Sequence, residues 1–267
     1  MPFKISMQKE SREFLRVYPE GTEVDYCMVF QPVGSLSLPE EGHWENDRLY
    51  VEDEKQQAIY HCPVRGLSPY ACVIWPEGTE KKISCNYIRN RESYINYSHN
   101  LCDLIGLETF LLKQQGILLH ASFIRWKGRG ILFSAPSGTG KSTQAELWKM
   151  YEKAEIVNGD RAGIRRREQG WMAYGLPLAG SSCIYRNESA PLSGIVVLRQ
   201  ASENRIRRLA PAEAFRCLYP ETTVHQWNRQ WVEKVSGLLF QLIGETPIWL
   251  LECRPDAESV KLLKNTI

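Results

Sequence analysis

The chain has 267 residues, 43% of them hydrophobic and 24% charged, with a net charge of +2 and a mean hydropathy of −0.36. That balance excludes a disordered chain, a collagen-like fibre and a polar linker, and no apolar run is long enough to span a bilayer. So small a positive surplus gives no reason to expect nucleic acid or an anionic membrane as a partner, and the length allows one large or two small domains.

The first ten residues carry basic side chains with no apolar stretch behind them, so neither a secretory nor a transit signal is read there. Eight cysteines, none in a C-x-x-C pair, sit mostly inside apolar segments. They are read as free thiols of a reducing, cytoplasmic compartment. His61-Cys62 has no second pair at zinc-ligand spacing and is read as structural.

Residues 1–92 predict a β-rich region. Short apolar and β-branched segments at 22–30, 48–53, 58–62 and 71–75 are punctuated by clusters such as Pro39-Glu40-Glu41-Gly42 and Pro76-Glu77-Gly78. No catalytic motif stands there. Residues 93–267 form the second region. Tyr94, Tyr97, Leu101, Leu104, Ile105, Leu107, Phe110, Leu111 and Leu112 recur at helical spacing and predict one helix over 93–115, stopped by Gly116. Strands at 118–126 and 131–134 follow. The Lys127-Gly128-Arg129-Gly130 turn between them has the glycines of a tight hairpin, so the second strand is entered antiparallel.

That strand runs into Ala135-Pro136-Ser137-Gly138-Thr139-Gly140-Lys141-Ser142-Thr143, and a helix with the apolar stripe Ala145, Leu147, Trp148 and Tyr151 follows. The pattern is a Walker A loop with Ala in place of the first Gly. Gly138 and Gly140 allow backbone conformations that turn successive N–H groups towards one point, where they and the helix N-terminus attract phosphate oxygens. Lys141 supplies a point charge for the β- and γ-phosphates and Ser142 a hydroxyl for Mg²⁺. Ser137 to Thr143 are therefore the candidate ATP-binding residues. The N-K-x-D motif of GTPases is missing, and Leu192-Ser193-Gly194 continues into a buried strand pattern and not into L-S-G-G-Q. An apolar strand ending in Asp-Glu is missing too.

The stretch Leu118-Leu119-His120-Ala121-Ser122, the hairpin and the Ser137–Thr143 loop together resemble the HPr kinase/phosphorylase family, chiefly its divergent members that lack the usual N-terminal domain. The similarity runs from about His120 to the C-terminus. It includes residues 156–164, residues 174–180 and the closing segment 249–257. The resemblance implies an α/β fold: a phosphoenolpyruvate-carboxykinase-like P-loop domain with an N-terminal β-rich extension. It also implies phosphorylation of a serine hydroxyl. Carried over by position, His120 matches the histidine beside the reacting phosphate. Asp160 matches the second of two adjacent aspartates, and Gly159 replaces the first.

The residues argue for Asp160 on their own account. A short strand at 154–157 precedes an Asn158-Gly159 turn, and an acid at the C-terminal end of such a strand faces the phosphate site, where it can accept a proton or hold Mg²⁺. The plain alternative is an Asp chosen for its turn propensity. For His120 the alternative is a buried, hydrogen-bonded histidine. Arg161 and Arg186 are further candidates for stabilising the transferred phosphate, whereas Arg165-Arg166-Arg167 and Arg207-Arg208 read as solvated. Further strands are predicted at 193–198 and 247–253, and helices at 224–243 and 255–264, the last with Pro255 in its first turn.

The expected activity is an ATP- and Mg²⁺-dependent kinase acting on a hydroxyl of a small protein, peptide or metabolite, with catalytic residues Asp160, His120 and Lys141 and metal ligands Ser142 and Asp160. The alternative is a nucleotide-binding regulatory or scaffold protein, favoured by Gly159. A carboxykinase-like enzyme with an acidic substrate ranks third. Self-association and the identity of the acceptor stay open.

Overall fold

The computed structural model describes residues 9–14, 22–23, 26–52, 56–76, 81–178 and 180–267. The predicted absence of a leader at 1–8, parts of the predicted segments at 24–25 and 53, and the predicted turn at 77–78 lie outside the described residues. The chain is mixed α/β with two sheets, and it divides into two compact units, residues 1–107 and 108–267.

In the first unit a short helix, α1 (Lys9–Glu13), precedes β1 (Cys27–Val33), β2 (His43–Glu45), β3 (Arg48–Glu52), β4 (Gln56–His61), β5 (Ala71–Pro76) and β6 (Lys82–Ile88). These make a six-stranded sheet in the order β1-β6-β5-β4-β3-β2, antiparallel except for β1 and β6. The period-2 pattern is clearest in β6, where Ile83, Cys85 and Tyr87 are buried. His61 is buried, and burial first, then Arg48, lowers its pKa to about 3, so it is a neutral core histidine. All eight cysteines are free and five of them are buried; Cys27 and Cys183 are exposed.

The helix predicted over 93–115 is three helices: α2 (Glu92–Asn96), α3 (Ser98–Leu104) and α4 (Leu107–Lys113). Tyr97 is extended (φ −71°, ψ 131°). Gly106 is left-handed (φ +59°), and a Cβ there would stand 2.5 Å from the Trp75 ring. The apolar period survives both breaks, which is why it reads as one helix.

The second unit is built on β7 (Gly116–Trp126), β8 (Arg129–Ser134), β9 (Glu155–Asn158), β10 (Arg161–Arg167), β11 (Gly170–Gly175), β12 (Ser189–Gln200), β13 (Arg205–Arg208) and β14 (Ile248–Cys253). The strand order is β11-β10-β7-β8-β12-β14-β13, with β9 on β7, and β11 also pairs with the start of β12. The β7–β8 hairpin turns through Lys127 and Gly128, both at positive φ, as a two-residue turn requires. Strands β8, β12 and β14 are parallel neighbours. They are apolar at successive positions because both faces are covered. Leu132, Ile195 and Val197 face one core with Leu218, Val235 and Leu239 of α6 (Pro211–Leu218) and α7 (Arg229–Glu245). Ile131, Phe133, Val196 and Leu198 face the other, with Ala145 and Trp148 of α5 (Lys141–Glu152) and Val260 and Leu263 of α8 (Ala257–Lys264).

Two predicted helix starts move. The helix expected from 224 begins at Arg229, because Asn228 caps it by accepting the Trp231 N–H at 3.0 Å. The last helix is capped by Asp256, which accepts from Ser259 N at 3.0 Å, so Pro255 precedes the helix. No helix among the described residues is long and apolar enough to cross a membrane.

Candidate functional site

The loop between β8 and α5 is open on its outer side. Gly138 (φ +79°) and Gly140 (φ +114°) have nothing within 4 Å of the Cβ each lacks. Backbone conformation and not packing therefore requires glycine at these positions. Lys141, buried at the first position of α5, donates from Nζ to the carbonyls of Ala135 (2.7 Å) and Pro136 (3.4 Å). Burial lowers its pKa, opposed by Glu221 and Asp160. Ser142 and Thr143 are exposed beside it.

His120 lies on β7, on the opposite face from the core residues Leu119 and Ala121. Its Nδ1 is 2.7 Å from Glu221 Oε2 and its Nε2 is 3.6 Å from Asp160 Oδ1. The Asp160 carboxylate is the main influence raising the His120 pKa; burial opposes it, and Glu221 raises it further. Reciprocally, His120 is the main cause lowering the Asp160 pKa; burial opposes it, and Arg161 lowers it further. Arg161 Nε is 3.6 Å from Asp160 Oδ2, and Arg161 Nη1 reaches Thr223 Oγ1 at 3.4 Å.

The chain does not turn away at Asn158-Gly159. Asn158 pairs with Phe123 and Arg161 with His120, so β9 and β10 lie along one edge of β7 with Gly159 and Asp160 as a two-residue gap. Ala121 N donates to Asp160 O (2.9 Å) and Ser122 Oγ to Gly159 O (2.9 Å). The fully buried Asn158 carboxamide accepts from Asp160 N (2.9 Å) and Arg161 N (3.0 Å) and donates to Leu176 O (2.8 Å). This is an Asx turn that sets the direction of Asp160. Behind the gap stands the 3₁₀ turn of residues 180–182. A Cβ on Gly180 would lie 2.6 Å from Asp160 Cβ.

The structure thus brings together His120, Asp160, Arg161 and Lys141. The Arg186 guanidinium lies 3.9 Å from Glu188. Glu221 was not legible in the sequence. It sits on the 3₁₀ turn of residues 219–221, anchored by Thr223 N donating to Leu118 O (2.9 Å), and no spacing rule links it to His120, 101 residues earlier. Among the described residues no group of three or more His, Cys, Asp or Glu side chains is arranged to hold a metal ion.

The sequence profile of the family described as SynChlorMet cassette protein ScmC matches residues 99–238, and the chain belongs to that family. Among solved structures, that of the Hpr(Ser) kinase/phosphatase from Coxiella burnetii is similar at 11% identity and a TM-score of 0.33, over 56% of this chain and 95% of that one. No curated protein matches the sequence.

Proposed function

We propose that the protein is an ATP- and Mg²⁺-dependent phosphotransferase that phosphorylates a hydroxyl, with serine as the expected acceptor group. The observation that carries this reading is the meeting of His120 and Asp160, 3.6 Å apart, with Lys141 close enough to shift both. A Walker A pattern and an ionised acid beside it are the two parts that phosphoryl transfer to an alcohol needs.

The loop residues fit a triphosphate. The space beside Gly138 and Gly140 is open, the Lys141 ammonium is held among the described residues by loop carbonyls alone, and Ser142 is exposed at the start of α5. Ser142 and Asp160 would hold Mg²⁺, with phosphate oxygens and water as its remaining ligands; the metal would neutralise charge on the phosphates. Asp160 accepts the acceptor's hydroxyl proton. His120, held at Nδ1 by Glu221, keeps Asp160 ionised and adds positive charge beside the transferring group. Arg161 does the same from the other side.

The test is transfer from γ-labelled ATP to serine peptides and free serine. If Asp160 is the base and not mainly a metal ligand, Asp160→Asn should bind ATP with near-normal affinity and transfer roughly a hundredfold more slowly or worse. Equal turnover in the two proteins would refute the role of Asp160. The second reading, a nucleotide-binding regulatory protein, is favoured by Gly159, which offers no carboxylate beside Asp160. Tight ATP binding with no transfer to any acceptor would select it.

A further inference from the structure

A cleft of about 650 Å³ opens beside the glycine loop, in the same unit. It touches the loop at residues 135–139 but not at 140–143, and its other walls include Arg199, Gln200, Leu250, Arg216 and Glu221. Gln200 Nε2 reaches the carbonyls of Gly138 and Thr139, both at 3.4 Å, and so ties the end of β12 to the loop. In a Walker A loop the backbone N–H groups cradle the α- and β-phosphates, the Lys reaches the β- and γ-phosphates and the Ser or Thr hydroxyl holds the metal. On the phosphotransferase reading above, on which this inference rests, a cleft walled by the start of the loop and by Glu221 is placed beside the phosphates on the side of His120. Glu221 joins the two places, because this residue of the cleft wall is the one whose carboxylate is bonded to His120.

The charges of the cleft are unevenly committed. Glu221 is taken by His120, and Arg199 Nη1 is 3.2 Å from Glu252. Arg216 is exposed, and its side chain makes no hydrogen bond or ion pair among the described residues. It lies in the field of Glu213, but both oxygens of that carboxylate are bonded to Arg207, at 2.9 and 3.0 Å. One guanidinium is therefore left to recognise an anion, and its fork suits a carboxylate. The volume is that of a site for a ligand of drug-like size and has room for several residues of peptide.

We propose that this cleft is the acceptor site and that it takes a peptide segment bearing a serine or threonine with an acidic side chain close by, the carboxylate being read by Arg216. The acceptor oxygen would form a bond to the γ-phosphorus as the bond from that phosphorus to the β,γ-bridging oxygen of ATP breaks. The hydroxyl proton passes to Asp160, and ADP leaves.

The test uses the full chain and two fluorescent decapeptides with one central serine, flanked in one by Asp and in the other by Lys, with binding read by anisotropy. The wild type should bind the acidic peptide about tenfold tighter or more, less so at high salt. Arg216→Glu should cancel or reverse the preference and Arg216→Gln should weaken it. Both replace an exposed side chain, and an unchanged thermal midpoint would verify their folding. Equal affinity for the two peptides, or a preference that survives Arg216→Glu, overturns the proposal. So does displacement of the acidic peptide by an equal concentration of free serine, which would make the ligand a small metabolite. Transfer with no charge preference would leave the phosphotransferase and remove the acidic-peptide site. Selective, Arg216-dependent binding of the acidic peptide with no transfer would leave the peptide site and remove the phosphotransferase.

Discussion

The Cβ that Gly159 lacks would stand 1.9 Å from the Ser182 hydroxyl oxygen and 2.6 Å from Ser182 Cβ. Any side chain at 159 must displace the 180–182 turn, which also lies against Asp160. Gly159→Ala should therefore cost about 1–3 kcal/mol of stability through overpacking, and Gly159→Asp at least as much. In a Ser182→Gly background the cost of Gly159→Ala should fall by more than half. Urea unfolding of the four proteins forms a double-mutant cycle, and a coupling near zero would mean that the contact is not what excludes a side chain.

His120 and Asp160 should each titrate on the far side of the other's range. The His120 pKa is raised above 6.5, so its contribution to folding is complete below that value and is lost as pH rises through the raised one. The Asp160 pKa is lowered below 3.8, so its contribution is complete above that value and is lost as pH falls through the lowered one. The two are jointly ionised over the whole window between. The Cε1 proton of His120, followed by NMR, should show a midpoint above 6.5. Asp160→Asn should lower that midpoint, and Glu221→Gln should lower it by less. A wild-type midpoint at or under the ordinary value would contradict the arrangement.

Lys141→Ala should weaken ATP binding by about 2 kcal/mol or more, the scale of lost hydrogen bonds to a charged group. Folding should change little, because the amine is held by two loop carbonyls while burial already disfavours its charge. Calorimetry decides the point: unchanged affinity would mean that the loop is not a phosphate site.

Asn158→Ala should destabilise the protein by about 3 kcal/mol, because it leaves Asp160 N and Arg161 N without their acceptor and Leu176 O without its donor. If Asp160 acts in transfer, the same variant should lower kcat more than it raises the KM for ATP. A variant as stable as the wild type would show that water replaces the carboxamide without loss.

The β7–β8 hairpin, the glycine loop and the apolar strands β12 and β14 were legible because local chemistry decides them: Lys127-Gly128 at the turn, two glycines before Lys141, and runs buried on both faces. The breaks at Tyr97 and Gly106 were not. An apolar period continues across them, although Gly106 ends its helix in the left-handed conformation (φ +59°), against the Trp75 ring 31 residues away in sequence. For β6 the alternation of Ile83, Cys85 and Tyr87 was there to be read. In the site, Asp160 announces itself by its place after a short strand, but Glu221 depends on how a distant turn is anchored to β7. Arg186 lies near the site in chain order yet pairs with Glu188, a choice made by the fold of the 180–188 segment and not by spacing.

The pairing of His120 with Arg161 across β7 and β10 has a consequence for how this chain tolerates changes in length. Side chains alternate between faces along a strand, so one residue inserted between Ile117 and His120 would carry the imidazole into the core, away from Asp160 and Glu221. A residue lost from 158–161 would do the same to the acid. Lys127 and Gly128 lie at the far tip of the same hairpin, where the chain is already reversing and Gly128 has nothing within 4 Å of its missing Cβ. Growth of the chain is thus compatible with the site at that tip and not along the strands that lead to it.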